Sequence, residues 1–178
     1  MCIRDRHNHA ESEYNARRAD LESVLEIIKA ELPDVRSLRD VNYAQIKSIK
    51  EKLGDQGYRR SKHVVLENQR VIDATKALVN NDIASLGKLM YQSHNSLAND
   101  YEVSCKELDF LVEQTKDFEH VLGSRMMGGG FGGCTINIVH KDESNLFTDI
   151  LAVNYALKHK LTLDAYTISI EDGTHIIE

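Results

Sequence analysis

The sequence predicts an α+β fold, with helices packed on one face of a small, mostly antiparallel sheet. Three observations lead there. Apolar residues recur at helical spacing through the first two-thirds of the 178 residues. After Gly123 the spacing changes to alternation. Five of the ten glycines crowd into the short stretch from Gly128 to Gly133, where the two patterns meet. Helices followed by strands, with one helix between the strands, fit a helix-on-sheet layer.

The elements follow in order. Leu21, Val24, Leu25, Ile28 and Leu32 fall on one helical face, and Pro33, the chain's single proline, stops that run. Asn42 is placed to cap a second helix with Ile46, Ile49 and Leu53 on its apolar side. Gly54 and Gly57 mark a break. A long helix over 58–79 carries two heptad-spaced rows, Val64, Val71, Leu78 and Val65, Ile72, Val79, which read as a broad packing stripe. Asn80-Asn81-Asp82 forms a turn and a cap for the next helix, on which Leu86, Met90 and Leu97 share a face with His94. Leu108, Leu111, Val112 and Thr115 give a further helix. Cys134–His140 alternates as a strand does. Leu146, Ile150, Val153 and Leu157 restore the helical period. Tyr166, Ile168 and Ile170 alternate again, and Asp172-Gly173 signals a hairpin whose returning strand covers 174–177.

Composition narrows the function classes. The formal charge is −6, which argues against a nucleic-acid footprint and against binding to anionic membranes. No apolar run approaches the ~18 residues of a spanning helix, and no secretory signal is visible. The three cysteines, Cys2, Cys105 and Cys134, have no metal-site spacing, and their odd number fits a reducing cytoplasmic setting.

The glycine cluster has a backbone cause, because glycine is the most costly residue to order. Either it turns tightly at positive φ between strands, or it lets a ligand approach the bare backbone, with successive N–H groups forming an anion-binding concavity. A purely structural hairpin satisfies the same pattern. A Walker A loop is excluded, since no Lys-Ser/Thr follows, and a dinucleotide fingerprint would run into a helix instead of a strand.

Arg125-Met-Met-Gly-Gly-Gly-Phe-Gly-Gly-Cys134, with the strand behind it, resembles the third motif of the galactokinase, homoserine kinase, mevalonate kinase and phosphomevalonate kinase superfamily, in its galactokinase branch. Met127 departs from the threonine more usual there. Further segments resemble the same branch in the same order. They are Ser12-Glu-Tyr-Asn-Ala-Arg-Arg-Ala19, Leu38-Arg-Asp-Val41, Arg59-Arg-Ser-Lys-His-Val64 with Glu67, Ser93-His-Asn-Ser-Leu97, Asp100-Tyr-Glu-Val-Ser104 and Glu107-Leu-Asp109.

The resemblance covers the chain from about residue 11 to its end. It implies a C-terminal kinase domain, a ferredoxin-like core with extra helices, over 11–178. Residues 1–10, with four of Met1–Arg6 charged or cysteine, read as a start not native to that fold. The implied parent reaction is ATP plus D-galactose giving galactose 1-phosphate and ADP with Mg²⁺, in a cytoplasmic and monomeric enzyme. Tyr14, just ahead of the first helix, is the implied sugar contact. Gly128, Gly129, Gly130, Gly132 and Gly133 form the active-site motif, and Arg125 is an accessory cation that either meets phosphate or pairs with a carboxylate.

The same resemblance locates the phosphate loop, magnesium ligands and catalytic aspartate in a preceding half. No Gly-Glu-His run and no Gly-x-x-Ser-Ser segment occurs here, so the chain alone is expected to be inactive and to bind neither ATP nor Mg²⁺. The alternatives are a kinase for a related sugar such as N-acetylgalactosamine, or a non-catalytic galactose-binding or regulatory module. His94 reads as a core or cleft-lining histidine, Asp100 and Glu102 not as an acid–base pair, Asp109 and Glu113 as exposed like charges, and Cys134 as a small core residue.

Overall fold

The computed structural model describes residues 2–3 and 10–169, with side chains from Glu13 onward. β1 (Cys2–Ile3) leads into α1 (Ala10–Glu31), a 3₁₀ turn (Leu38–Asp40), α2 (Tyr43–Ser48), α3 (Lys50–Val79) and α4 (Ile83–Ser96). A π-helical turn (Leu97–Tyr101), α5 (Lys106–Thr115), β2 (Val121–Met127), β3 (Gly133–Val139) and α6 (Ser144–His159) complete the order. The sheet order is β1-β3-β2, antiparallel throughout. No helix among the described residues is long and apolar enough to cross a membrane.

Local chemistry sets the boundaries. Asn42 caps α2 by accepting from Gln45 N, while the Gln45 side chain accepts from Asn42 N. Gly54 interrupts α3 at φ 68°. Gly57 does not: it lies inside the helix, where a Cβ would stand 3.0 Å from Val24 Cγ2, so it brings α1 and α3 together. Asn81 adopts φ 54° and Asp82 caps α4 through Ser85 N.

Two cores result. Val24, Ile28, Ile46, Ile49, Leu53 and Val65 join α1, α2 and α3. Leu108, Leu111, Met126, Phe147, Leu151 and Tyr155 join α5 and α6 to the sheet. α4 runs along the outer edge of β2. Met126 N–H donates to His94 Nδ1 there, and a Cβ on Gly87 would lie 1.8 Å from Leu122 O. An edge that would otherwise stay unpaired is thereby covered by a helix.

Besides the break at Gly57, four expectations need correction. The second helix ends at Ser48, so Ile49 is its C-cap and Leu53 belongs to α3. α1 starts earlier than its apolar period indicates, so Tyr14 lies within the helix and not ahead of it. On α3 the distal members of both valine-rich rows, Val71, Ile72, Leu78 and Val79, are exposed. The side turned toward α4 instead carries His63, Glu67, Arg70 and Ala77, because hydrogen bonds satisfy the polar members and alanine permits close approach. The α6 helix is as read, and its two apolar faces are unequal. Phe147, Leu151 and Tyr155 are buried, whereas Leu146, Ile150, Val153 and Leu157 face outward. Finally, residues 165–169 form no ladder, and Tyr166 and Ile168 are exposed. Alternation becomes a strand only where an edge is available, and the outer strand here is the two-residue β1. Ile170, the Asp172-Gly173 turn and 174–177 lie outside the described residues.

Candidate functional site

The glycine-rich segment is the β2–β3 turn. Gly128, Gly130, Gly132 and Gly133 have φ of 84°, 86°, 133° and 96°, values that side chains rarely tolerate. Phe131 shares this geometry at φ 60°. The turn is held from behind: Phe131 N–H donates to Val103 O at 2.7 Å, and Gly130 presses so near that a Cβ would stand 2.0 Å from the same oxygen. Its front is open. Among the described residues, nothing lies within 4 Å of the Cβ position at Gly128, and at Gly129 the neighbour is Tyr14 Cδ2, 3.9 Å away. The two ends of the sequence signature thus meet, with the half-exposed Tyr14 ring beside bare backbone.

Arg17, one turn after Tyr14, fixes this meeting. Its Nε donates to Tyr101 O at 3.2 Å and its Nη2 to Glu102 O at 3.2 Å, while the guanidinium lies over the Phe131 ring, 5.8 Å from the centroid. Three successive carbonyls, those of Tyr101, Glu102 and Val103, therefore tie α1 on one side and the glycine turn on the other. The geometry that presents them is unusual: the π-helical turn Leu97–Tyr101 ends at Glu102 in the left-handed region, φ 60°.

Charge supports the turn. The Glu102 carboxylate accepts from Arg59 at 2.9 Å and from Arg60 at 3.1 Å, and the Arg59 bond above all holds its pKa below the usual carboxylate range. Arg60 is buried and also pairs with Asp20 on α1. Asp100 takes Lys62 at 2.8 Å and Ser96 at 3.1 Å, so Asp100 and Glu102 serve separate networks. His63 donates or accepts at Ser96 Oγ (2.9 Å) and stacks on Tyr101, with ring centroids 4.8 Å apart. Burial lowers its pKa to about 4.

Behind β2 the Arg125 guanidinium turns to Glu67 (3.4 Å) and to Met126 O (2.9 Å). Glu67 also accepts from Ser93 at 2.6 Å and Arg70 at 2.7 Å. Burial pushes the Glu67 pKa up, but the Ser93 and Arg70 bonds outweigh it and leave the pKa lowered. His94 is a buried histidine bonded to the backbone of β2, with Asp109 3.3 Å from Nε2. Asp109 is exposed, as read, and also accepts from Ser104. Cys134 heads β3, half-buried. Among the described residues no group of three His, Cys, Asp or Glu converges as a metal site.

The sequence offers one of Arg17 and Arg18 as a residue that orients Tyr14, beside a solvated helix face, and Arg17 takes that place; it gives no role to Arg59, Arg60 or Glu102. Pairs of arginines on a helix read as solvated, and only the three-dimensional path of 97–103 shows what they hold. Gly87 and Gly123 carried no signal either, being isolated glycines in ordinary patterns.

Residues 74–156 match the family model described as GHMP kinases C terminal. A galactokinase of Clostridium acetobutylicum is 39% identical over 165 residues, covering 92% of this chain and 42% of that protein. One from Lactiplantibacillus plantarum is 41% identical over 174 residues, covering 97% and 45%. The galactokinase of Canis lupus familiaris is 38% identical over 172 residues, covering 97% and 42%. A crystal structure of Lactococcus lactis galactokinase complexed with galactose superposes with a TM-score of 0.84 at 34% identity, over 89% of this chain and 41% of that one. The chain spans less than half the length of these relatives. It carries a GHMP kinase C-terminal domain of the galactokinase kind.

Proposed function

We propose that this domain forms one wall of a galactokinase cleft, in which ATP phosphorylates D-galactose to galactose 1-phosphate. The observation that carries the reading is the placement of the Tyr14 ring against Gly129. An exposed aromatic edge beside side-chain-free backbone gives a sugar a surface to stack on and a phosphate room to approach. The domain's own work is positioning: Arg17 and the three carbonyls of 101–103 hold that wall rigid.

Among the described residues the acidic groups Glu13 and Glu102 do not fit a magnesium site, since arginines engage both. Arg125 is spent on Glu67 and does not face the open side as a phosphate clamp. On this reading the Mg²⁺ ligands, phosphate loop and base belong to a second lobe, and the chain alone transfers no phosphoryl group. Galactose 1-phosphate formed by the isolated chain from ATP, Mg²⁺ and galactose at an ordinary kinase rate would overturn this. Calorimetry separates the sensor alternative: galactose heat from the chain alone at the affinity of an intact kinase would favour a binding module.

A further inference from the structure

Outside the site, the strongest unassigned feature is the outer face of α6. Leu146, Ile150, Val153 and Leu157 are 58%, 36%, 58% and 67% exposed. Their spacing of four, three and four residues is that of a coiled-coil seam, running opposite the buried Phe147, Leu151 and Tyr155. The ends of the helix carry opposite charge. Its start holds Lys141, Asp142, Glu143 and Asp149, one cation against three carboxylates, and its finish holds Lys158 and Lys160. None of these six side chains makes an ion pair with another charged group among the described residues.

We infer that a second copy of this chain covers the stripe, with the two α6 helices antiparallel about a twofold axis. In that pairing Leu146 faces the second copy's Leu157 and Ile150 faces its Val153. The acidic start of each helix lies beside the basic finish of the other. The contact is isologous, and both the charged ends and the helix dipoles oppose favourably. A parallel pair would set like charges together. The four side chains offer roughly 400 Å² per copy, within the range of a monomer's largest apolar patch. A pair then buries about 800 Å² from the stripe, below the ~1,200 Å² of stable complexes, so the dimer is weak and dilution dissociates it. This departs from the monomeric parent that the family resemblance implies.

Sedimentation equilibrium of the full 178-residue chain tests it. The expected mass climbs from one copy's 20.2 kDa toward twice that across the micromolar range. Val153→Lys, on the exposed face, weakens association at least tenfold while leaving the circular-dichroism melt unchanged. Lys158→Glu with Lys160→Glu weakens it too, and adding Asp142→Lys and Glu143→Lys to those changes restores it. A single-copy mass at every concentration overturns the inference. So does association that Val153→Lys leaves intact, or a charge swap that does not rescue; either removes the stripe as the surface between two copies.

Discussion

The carbonyl oxygen of Val103 and the missing side chain of Gly130 occupy one place: a Cβ there would come within 2.0 Å of that oxygen. Gly130→Ala must therefore move backbone on one side or the other, and it also meets φ 86°. The expected loss is about 2 kcal/mol or more. Gly128→Ala shares the positive φ but meets no atom of the described residues within 4 Å, so it costs only about 1 kcal/mol. Urea titration of both variants checks the difference, and equal losses would deny that Val103 buttresses the turn.

Glu67 is the hub behind β2, accepting from Ser93, Arg70 and Arg125. Glu67→Gln keeps the shape and one acceptor but leaves two guanidinium groups without a carboxylate. It should cost about 2 kcal/mol. The Glu67 pKa is lowered in the fold, so its contribution is present above the ordinary carboxylate range and fades as pH falls through the folded value. A denaturant midpoint for the variant equal to the parent's at neutral pH would remove Glu67 from this role.

Much of this fold is written locally. The Asn42 cap, the Pro33 stop, the Asp82 cap and the alternating strand that leads to His140 are short-range signals, and the structure bears each of them out, whereas β2 starts before Gly123 and shows no alternation. What was not legible is which of two apolar faces a helix buries. α6 has Phe147, Leu151 and Tyr155 on one side and Leu146, Ile150, Val153 and Leu157 on the other, and periodicity alone ranks them equally. α3 goes the other way, turning a hydrogen-bonded polar row toward α4 and leaving valines outside. At the site, the glycine turn and Tyr14 were legible as motifs. Their contact was not, because it depends on Arg17 reaching carbonyls 84 and 85 residues away.

His63 makes stability depend on pH. Burial depresses its folded pKa from 6.5 to about 4, so between those values the unfolded chain binds the extra proton. Stability is complete above about pH 6.5 and declines as pH falls toward 4, by on the order of 3 kcal/mol. Nearby Glu67 and Asp100 favour the protonated ring, and Arg70 and Arg125 oppose it, but burial dominates. His63→Gln should flatten the slope in this window. A slope equally steep in the variant would assign the acid sensitivity elsewhere.

Tyr14 separates binding from folding. Its ring is 53% exposed, so Tyr14→Ala should leave thermal stability within about 0.5 kcal/mol of the parent. In a two-lobed kinase carrying this domain, the same change should raise the galactose KM about tenfold, equivalent to ~1.4 kcal/mol, with a smaller fall in kcat. Tyr14→Phe keeps the ring edge beside Gly129 and should retain most of the affinity if stacking dominates. A loss as large as that of Tyr14→Ala would instead assign the contact to the hydroxyl. Arg17→Ala provides the contrast: it frees α1 from the Tyr101 and Glu102 carbonyls and from Phe131, so it lowers stability and weakens galactose together. A galactose KM unmoved by both Tyr14→Ala and Arg17→Ala would remove this wall from the sugar site.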